Sequence, residues 1–215
     1  MKKEQKTLFK EIEKIQEKAM RELAKEFGLK KRSICLFKKV GDFFVEGVYS
    51  TNFTDDNEIS IRMNCNIKPY SYDDLFWEIF DMKENAKQPM SLRAIGAFVA
   101  PIYPIKRIKI VENSLVNIEE DIRQTVIGFI DIFNTFINSM ENNVENFNQF
   151  VIRQSDFYQE DLMKMLAYIH SRKYNTALNN ANEFIRNGDT GPLVNGDKGI
   201  YEYIVEYCEK KHSIH

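Results

Sequence analysis

Glu58-Ile59-Ser60-Ile61-Arg62-Met63-Asn64-Cys65-Asn66-Ile67-Lys68 alternates without interruption. Ile59, Ile61, Met63, Cys65 and Ile67 point one way, and Ser60, Arg62, Asn64 and Asn66 the other. A period of two predicts a strand over 58–68 with one apolar and one polar face, the signature of an antiparallel sheet covered on one side.

Upstream, Asp55-Asp56-Asn57 reads as a turn, and Gly41-Asp42 as a tight hairpin joining strands over 33–40 and 43–52. Before them Leu8, Ile12, Ile15, Ala19, Leu23 and Phe27 recur every three or four residues. Lys and Glu fill the opposite face, which predicts an amphipathic helix over 5–27 closed by Gly28. Downstream, Ser71 is placed as the N-cap of a helix carrying Leu75, Phe76, Ile79 and Phe80. Segments 92–100 and 105–111 read as a fourth and a fifth strand. Pro101 and Pro104 cannot donate to a ladder, so the fifth strand belongs at an edge.

After Asn113 the period stays helical, with helices over 117–140, 146–153, 156–171, 174–187 and 199–211, and a break at Asn142-Asn143. The expected architecture is therefore α+β: an antiparallel sheet of four to five strands packed on helices, followed by a helical C-terminal portion. We divide it into an α+β domain over 1–143, with the N-terminal helix, the sheet and a long central helix, and a helical subdomain over 144–215.

Phe27-Gly28-Leu29-Lys30-Lys31-Arg32, followed by Leu36-Phe37-Lys38-Lys39 and a strand, resembles the bacterial proteins grouped as domain of unknown function 4304. The likeness spans about residues 8–68, with Leu29 where the family usually has Phe. It implies a helix ending in a basic turn before antiparallel strands, and a place beside toxin–immunity genes with a protein partner. It transfers no catalytic residue.

The chain holds 30 Lys and Arg against 32 Asp and Glu, so no global field draws it to nucleic acid or acidic lipid. It has no stretch of roughly 20 apolar residues to cross a membrane and no apolar leader. Three scattered Cys among apolar neighbours suit reduced thiols in the cytoplasm. His170, His212 and His215 are too few and too dispersed for a metal site, and no cofactor motif is present. The loop over 189–199 lacks the Gly-Lys-Ser/Thr ending of a phosphate loop and the spacing of a calcium loop. Asp73-Asp74 and Glu119-Glu120-Asp121 sit at helix starts, where the dipole attracts acids without any catalytic role. Tyr168, Tyr174, Ala177 and Ala181 have the look of half a tetratricopeptide hairpin, but one copy is no array.

Two surfaces stand out for binding. Lys30, Lys31 and Arg32, beside Lys38 and Lys39, form a basic turn suited to an anionic contact, although Asp42 and Glu46 dilute its field. Ser60, Arg62, Asn64 and Asn66 offer directional donors and acceptors that suit a protein or peptide. The expectation is a non-enzymatic, cytoplasmic, protein-binding module of the immunity or toxin-neutralising kind. The alternative is an enzyme or small-ligand protein with a pocket between sheet and C-terminal helices, using groups such as Arg62, Tyr103 or His170.

Overall fold

The computed structural model describes residues 3–54, 58–112 and 116–212. The chain forms α1 (Lys3–Glu26), β1 (Lys30–Arg32), β2 (Cys35–Val40), β3 (Phe43–Phe53), β4 (Ile59–Pro69) and α2 (Tyr70–Ile79). After a 3₁₀ turn over Lys83–Lys87 come α3 (Leu92–Ile95), β5 (Tyr103–Glu112), α4 (Ile118–Ser139), α5 (Val144–Ile152), α6 (Glu160–His170) and α7 (Tyr174–Arg186). A two-residue ladder, β6 (Val194–Asn195) with β7 (Lys198–Gly199), precedes α8 (Ile200–His212). The fold is α+β. Its five strands lie in sequence order, β1-β2-β3-β4-β5, as an antiparallel meander.

The strand count agrees with the sequence reading, but its membership differs. Segment 92–100 is no strand: it is the single turn α3 followed by irregular chain. The fifth strand is instead β1, three residues of the basic turn, paired in register as Lys30↔Phe37, Lys31↔Leu36 and Arg32↔Cys35. β5 occupies the opposite edge, as its prolines require. Ser71 does not cap α2; the N-cap is Pro69, which lends no side-chain bond. The expected turn at Asp55-Asp56-Asn57 and His215 lie outside the described residues.

The chain divides into two compact units that interleave along the sequence. The first comprises Met1–Val40, Phe44–Ile67 and Pro104–Ser139. Its core is the apolar side of β4, where Ile59, Ile61, Met63, Cys65 and Ile67 are all buried. Each such aliphatic side chain stabilises the fold by about 1.5–3 kcal/mol relative to exposure. Ile122, Val126, Phe129 and Phe133 follow helical spacing on α4 and are buried likewise. Gly47 leaves no room for a side chain between β4 and α4: a Cβ there would stand 2.8 Å from Met63 Sδ and 3.4 Å from the Phe129 ring.

The second unit comprises Gly41–Phe43, Lys68–Tyr103 and Met140–His215. Tyr72, Phe76 and Trp77 of α2, Phe147 of α5 and the apolar face of α6 fill its core. Ala177 and Ala181 of α7 are fully buried, and their small size lets α8 approach with Ile200, Ile204 and Cys208. Glu141 and Asn142 take positive φ values of 54° and 50°, breaking the chain before α5. Asn143 then caps α5 through its side chain, which accepts from the Glu145 amide at 2.7 Å. Gly41, at φ 55°, opens the β2–β3 hairpin where a Cβ would strike the Asn142 amide at 2.5 Å.

The approach at Gly47 is directly testable. Gly47→Val overfills a contact that has no slack, so the urea midpoint should fall by the equivalent of about 1–3 kcal/mol. An unchanged midpoint would show that Met63 yields freely.

Candidate functional site

Alternation along β4 puts Lys68 on the polar side of the strand, and Pro69 then turns the chain into α2. The first turn of that helix brings Asp73 back over Lys68. Their side chains are 1% and 0% exposed and meet at 2.7 Å. Lys68 Nζ also donates to the Arg93 carbonyl at 3.2 Å and the Ala100 carbonyl at 3.1 Å, so all three of its protons have acceptors. Asp73 Oδ1 accepts from the Ala100 amide at 2.9 Å. One buried ion pair thus grips both ends of the segment from Arg93 to Ala100.

Arg93 tightens the grip. Its guanidinium donates to the Tyr70 carbonyl at 3.0 Å and to Asp74 Oδ1 at 2.6 Å, and lies 3.4 Å from Asp73 Oδ2. It stacks 3.9 Å from the Tyr70 ring centre and 4.8 Å from that of Trp77. Burial works against its charge, but the hydrogen bond it donates to Asp74 and the field of Asp73 outweigh it and raise the Arg93 pKa. Trp77 Nε1 donates to the Phe98 carbonyl at 2.7 Å. With the backbone held at Arg93, Phe98 and Ala100, the tip presents Ile95 at 46% and Phe98 at 36% exposure. The segment reads as a strand because it is apolar. It is not one: the amides of 92–96 close a helical turn onto carbonyls at 89–92, and side chains hold the backbone at Arg93, Phe98 and Ala100.

A second cluster in the same unit has the residue types of a hydrolase. Ser71 Oγ lies 3.0 Å from His170 Nε2, and His170 Nδ1 lies 3.2 Å from Asn148 Nδ2. The carboxylate of Glu145, 3.0 Å from that amide nitrogen, fixes which end of Asn148 faces it, while Asn148 Oδ1 accepts from Tyr72 OH at 2.8 Å. Asn148 Nδ2 also lies 2.9 Å from Ser171 Oγ, so its two protons face three acceptors and the amide does not fix the His170 tautomer. A general base needs Nε2 free to take the serine proton. The cluster ties α2, α5 and α6 together.

The residues singled out in the sequence fall on two surfaces of the first unit. Lys31 and Arg32 line an open groove of about 1140 Å³ shared with α1. Lys30 is exposed on the same edge strand. Asn64 and Asn66 line a shallow depression of about 400 Å³ with Pro104, Ile105, Lys106 and Arg107. Asn64 Oδ1 accepts from Arg107 at 2.8 Å and Asn66 donates to Glu46 at 3.0 Å, so the strands satisfy each other's polar groups across this face. Ser60 is fully buried and accepts from half-buried Arg62 at 3.2 Å. Tyr103, in the second unit, is packed edge-on against Phe147, Phe150 and Phe157. Among the described residues no group of three or more His, Cys, Asp or Glu could hold a metal, and no helix is long and apolar enough to cross a membrane.

A scan against protein-family models and searches of curated proteins and solved structures find no match to this chain.

Two measurements test these clusters. Lys68→Met takes the ammonium from a buried carboxylate that keeps only the Ala100 amide and the Arg93 guanidinium, removes the donor to two carbonyls, and should cost about 3–5 kcal/mol in urea unfolding. Adding Asp73→Asn should recover part of that loss in a double-mutant cycle, with emission from Trp77, the only tryptophan, reporting release of the segment. The second test is pH. Burial lowers the His170 pKa from its ordinary value of 6.5, with Glu145 opposing. The unfolded chain therefore binds the proton more readily, and the stabilising effect is full above pH 6.5 and lost as pH falls through the lowered value. The urea midpoint should drop on acidification from neutrality, and His170→Gln should flatten that drop. The lowered Glu145 pKa, held down chiefly by the Ser171 hydroxyl, acts in a separate window below 4.5.

Proposed function

We propose that this chain is a non-enzymatic protein-binding module acting in the cytoplasm, of the immunity or toxin-neutralising kind that the resemblance to domain of unknown function 4304 implies. The observation that carries this reading is the gripped segment from Arg93 to Ala100. Burying a lysine, an aspartate and an arginine together carries a large desolvation cost, which their pairing and hydrogen bonds offset while making one particular loop rigid. What that rigidity serves is an exposed apolar tip, Ile95 and Phe98, already fixed for insertion into an apolar recess of a partner. The three cysteines are buried and unpaired, with burial pushing Cys35 up to about 11 and Cys65 and Cys208 up to about 12. Such inert thiols suit a reducing compartment.

The test is capture by the tagged full-length chain from extracts of its own source cells, followed by identification of co-eluting protein. The wild type should retain a stoichiometric partner. Ile95→Asp with Phe98→Asp should lower retention at least about tenfold, the loss expected of two apolar anchors at an interface, without moving the melting temperature. Equal retention by the double variant, or a wild-type chain that elutes alone, overturns the reading.

A further inference from the structure

On the exposed side of α1, Lys10, Lys14, Lys18, Arg21 and Lys25 follow one another at intervals of four, four, three and four residues. That spacing lines them up along one helical face, opposite the buried Ile12, Met20 and Leu23. Lys31 and Arg32 of the edge strand β1 add two more cations to the same groove of about 1140 Å³. Three carboxylates share it: Glu13, Glu17 and Glu22.

Only Glu17 is neutralised there. It accepts from Lys31 and from Arg21, each at 2.9 Å, and Tyr49 OH approaches it at 3.4 Å while donating to the Ser33 carbonyl at 3.0 Å. The hydrogen bond from Lys31 holds the Glu17 pKa below its ordinary value. This network joins α1 to the β1–β2 turn and fixes the groove floor. Lys10, Lys14, Lys18, Lys25 and Arg32 make no ion pair among the described residues, against two such carboxylates, Glu13 and Glu22. The groove therefore carries excess positive charge of defined spacing on a chain whose formal charge is −2.

We propose that this groove receives an acidic, amphipathic segment of a partner protein. The inference rests on reading the chain as a protein-binding module and adds the chemistry of a partner segment. It does not depend on Ile95 or Phe98. The charge pattern separates polypeptide from nucleic acid. A phosphate backbone is uniformly negative and would meet Glu13 and Glu22 with repulsion, whereas a polypeptide can set its own cations against them. Single strands also need aromatic faces to stack on, yet Tyr49 is 3% exposed with its hydroxyl engaged. Ile34, 51% exposed at the groove edge, offers an apolar contact beside the cations, and the lysine stems extend that apolar surface.

The probe is a fluorescein-labelled helical peptide of about 20 residues with Glu at every third or fourth position, Lys flanking that acidic face and Leu opposite it, read by anisotropy against the full-length protein. An oligothymidylate of equal charge serves as the comparison. The peptide should bind with an affinity that falls as salt rises, and the exposed-site pair Lys14→Glu with Lys18→Glu should weaken it at least about tenfold. Ile95→Asp with Phe98→Asp should bind the peptide like wild type, so failure of the loop reading and failure of the groove reading appear in different variants. Absence of peptide binding, indifference to the Lys14/Lys18 reversal, or tighter binding of the oligothymidylate overturns the proposal.

Discussion

The Lys68–Asp73 pair is the interaction on which the second unit's surface depends. It joins the end of a strand to the first turn of the next helix, five residues apart in sequence, and then reaches 25 and 32 residues further for two carbonyls. A lysine in an apolar interior is unfavourable unless each proton is met. Here two of the acceptors come from a segment that forms no ladder. The same bonds therefore satisfy the ammonium and two carbonyls of that segment, whose first amides close a helical turn instead. Arg93 depends on this arrangement, because its carbonyl and side chain are oriented by the same anchor.

How much of this could be read in advance follows from where the physics is local. The alternation of Ile59 to Ile67 and the helical stripe of Ile12 to Leu23 are set by burial on one face, and both elements stand as the sequence indicates. Segment 92–100 misleads because apolar content predicts a strand whenever backbone partners are assumed. Its first amides instead close a turn on carbonyls at 89–92, and the side chains of Lys68 and Asp73 that hold Arg93 and Ala100 are not revealed by anything within the segment. β1 escapes notice because three basic residues at an edge have no alternation to show. Ser71 has the chemistry of a cap, but Pro69 starts the helix and a histidine 99 residues on engages the hydroxyl. Asp73 is visible in the sequence only as an acid near a helix start, and its burial beneath another segment is a property of the tertiary fold.

Polar clusters of similar composition can also do different work. Ser71, His170 and Asn148 tie three helices together, with the Asn148 amide shared among Glu145, Ser171 and His170. Lys68, Asp73 and Arg93, by contrast, suggest only an ion-pair network, and their consequence is a fixed apolar loop.

The near-zero net charge needs the same care. On α1 the basic residues are interleaved with acids in sequence, so any window along the chain is close to neutral and the only basic run in view is Lys30-Lys31-Arg32. Wound at 3.6 residues per turn, five cations of α1 gather on one face beside three of its glutamates, with Lys31 and Arg32 added by the edge strand. Composition averages over all faces and so cancels what the helix sorts. A surface of this kind exerts no long-range pull beyond about a Debye length, roughly 8–10 Å at physiological salt. Its selectivity must then come from contact, where a partner of matching charge spacing gains and a uniform polyanion meets the flanking carboxylates.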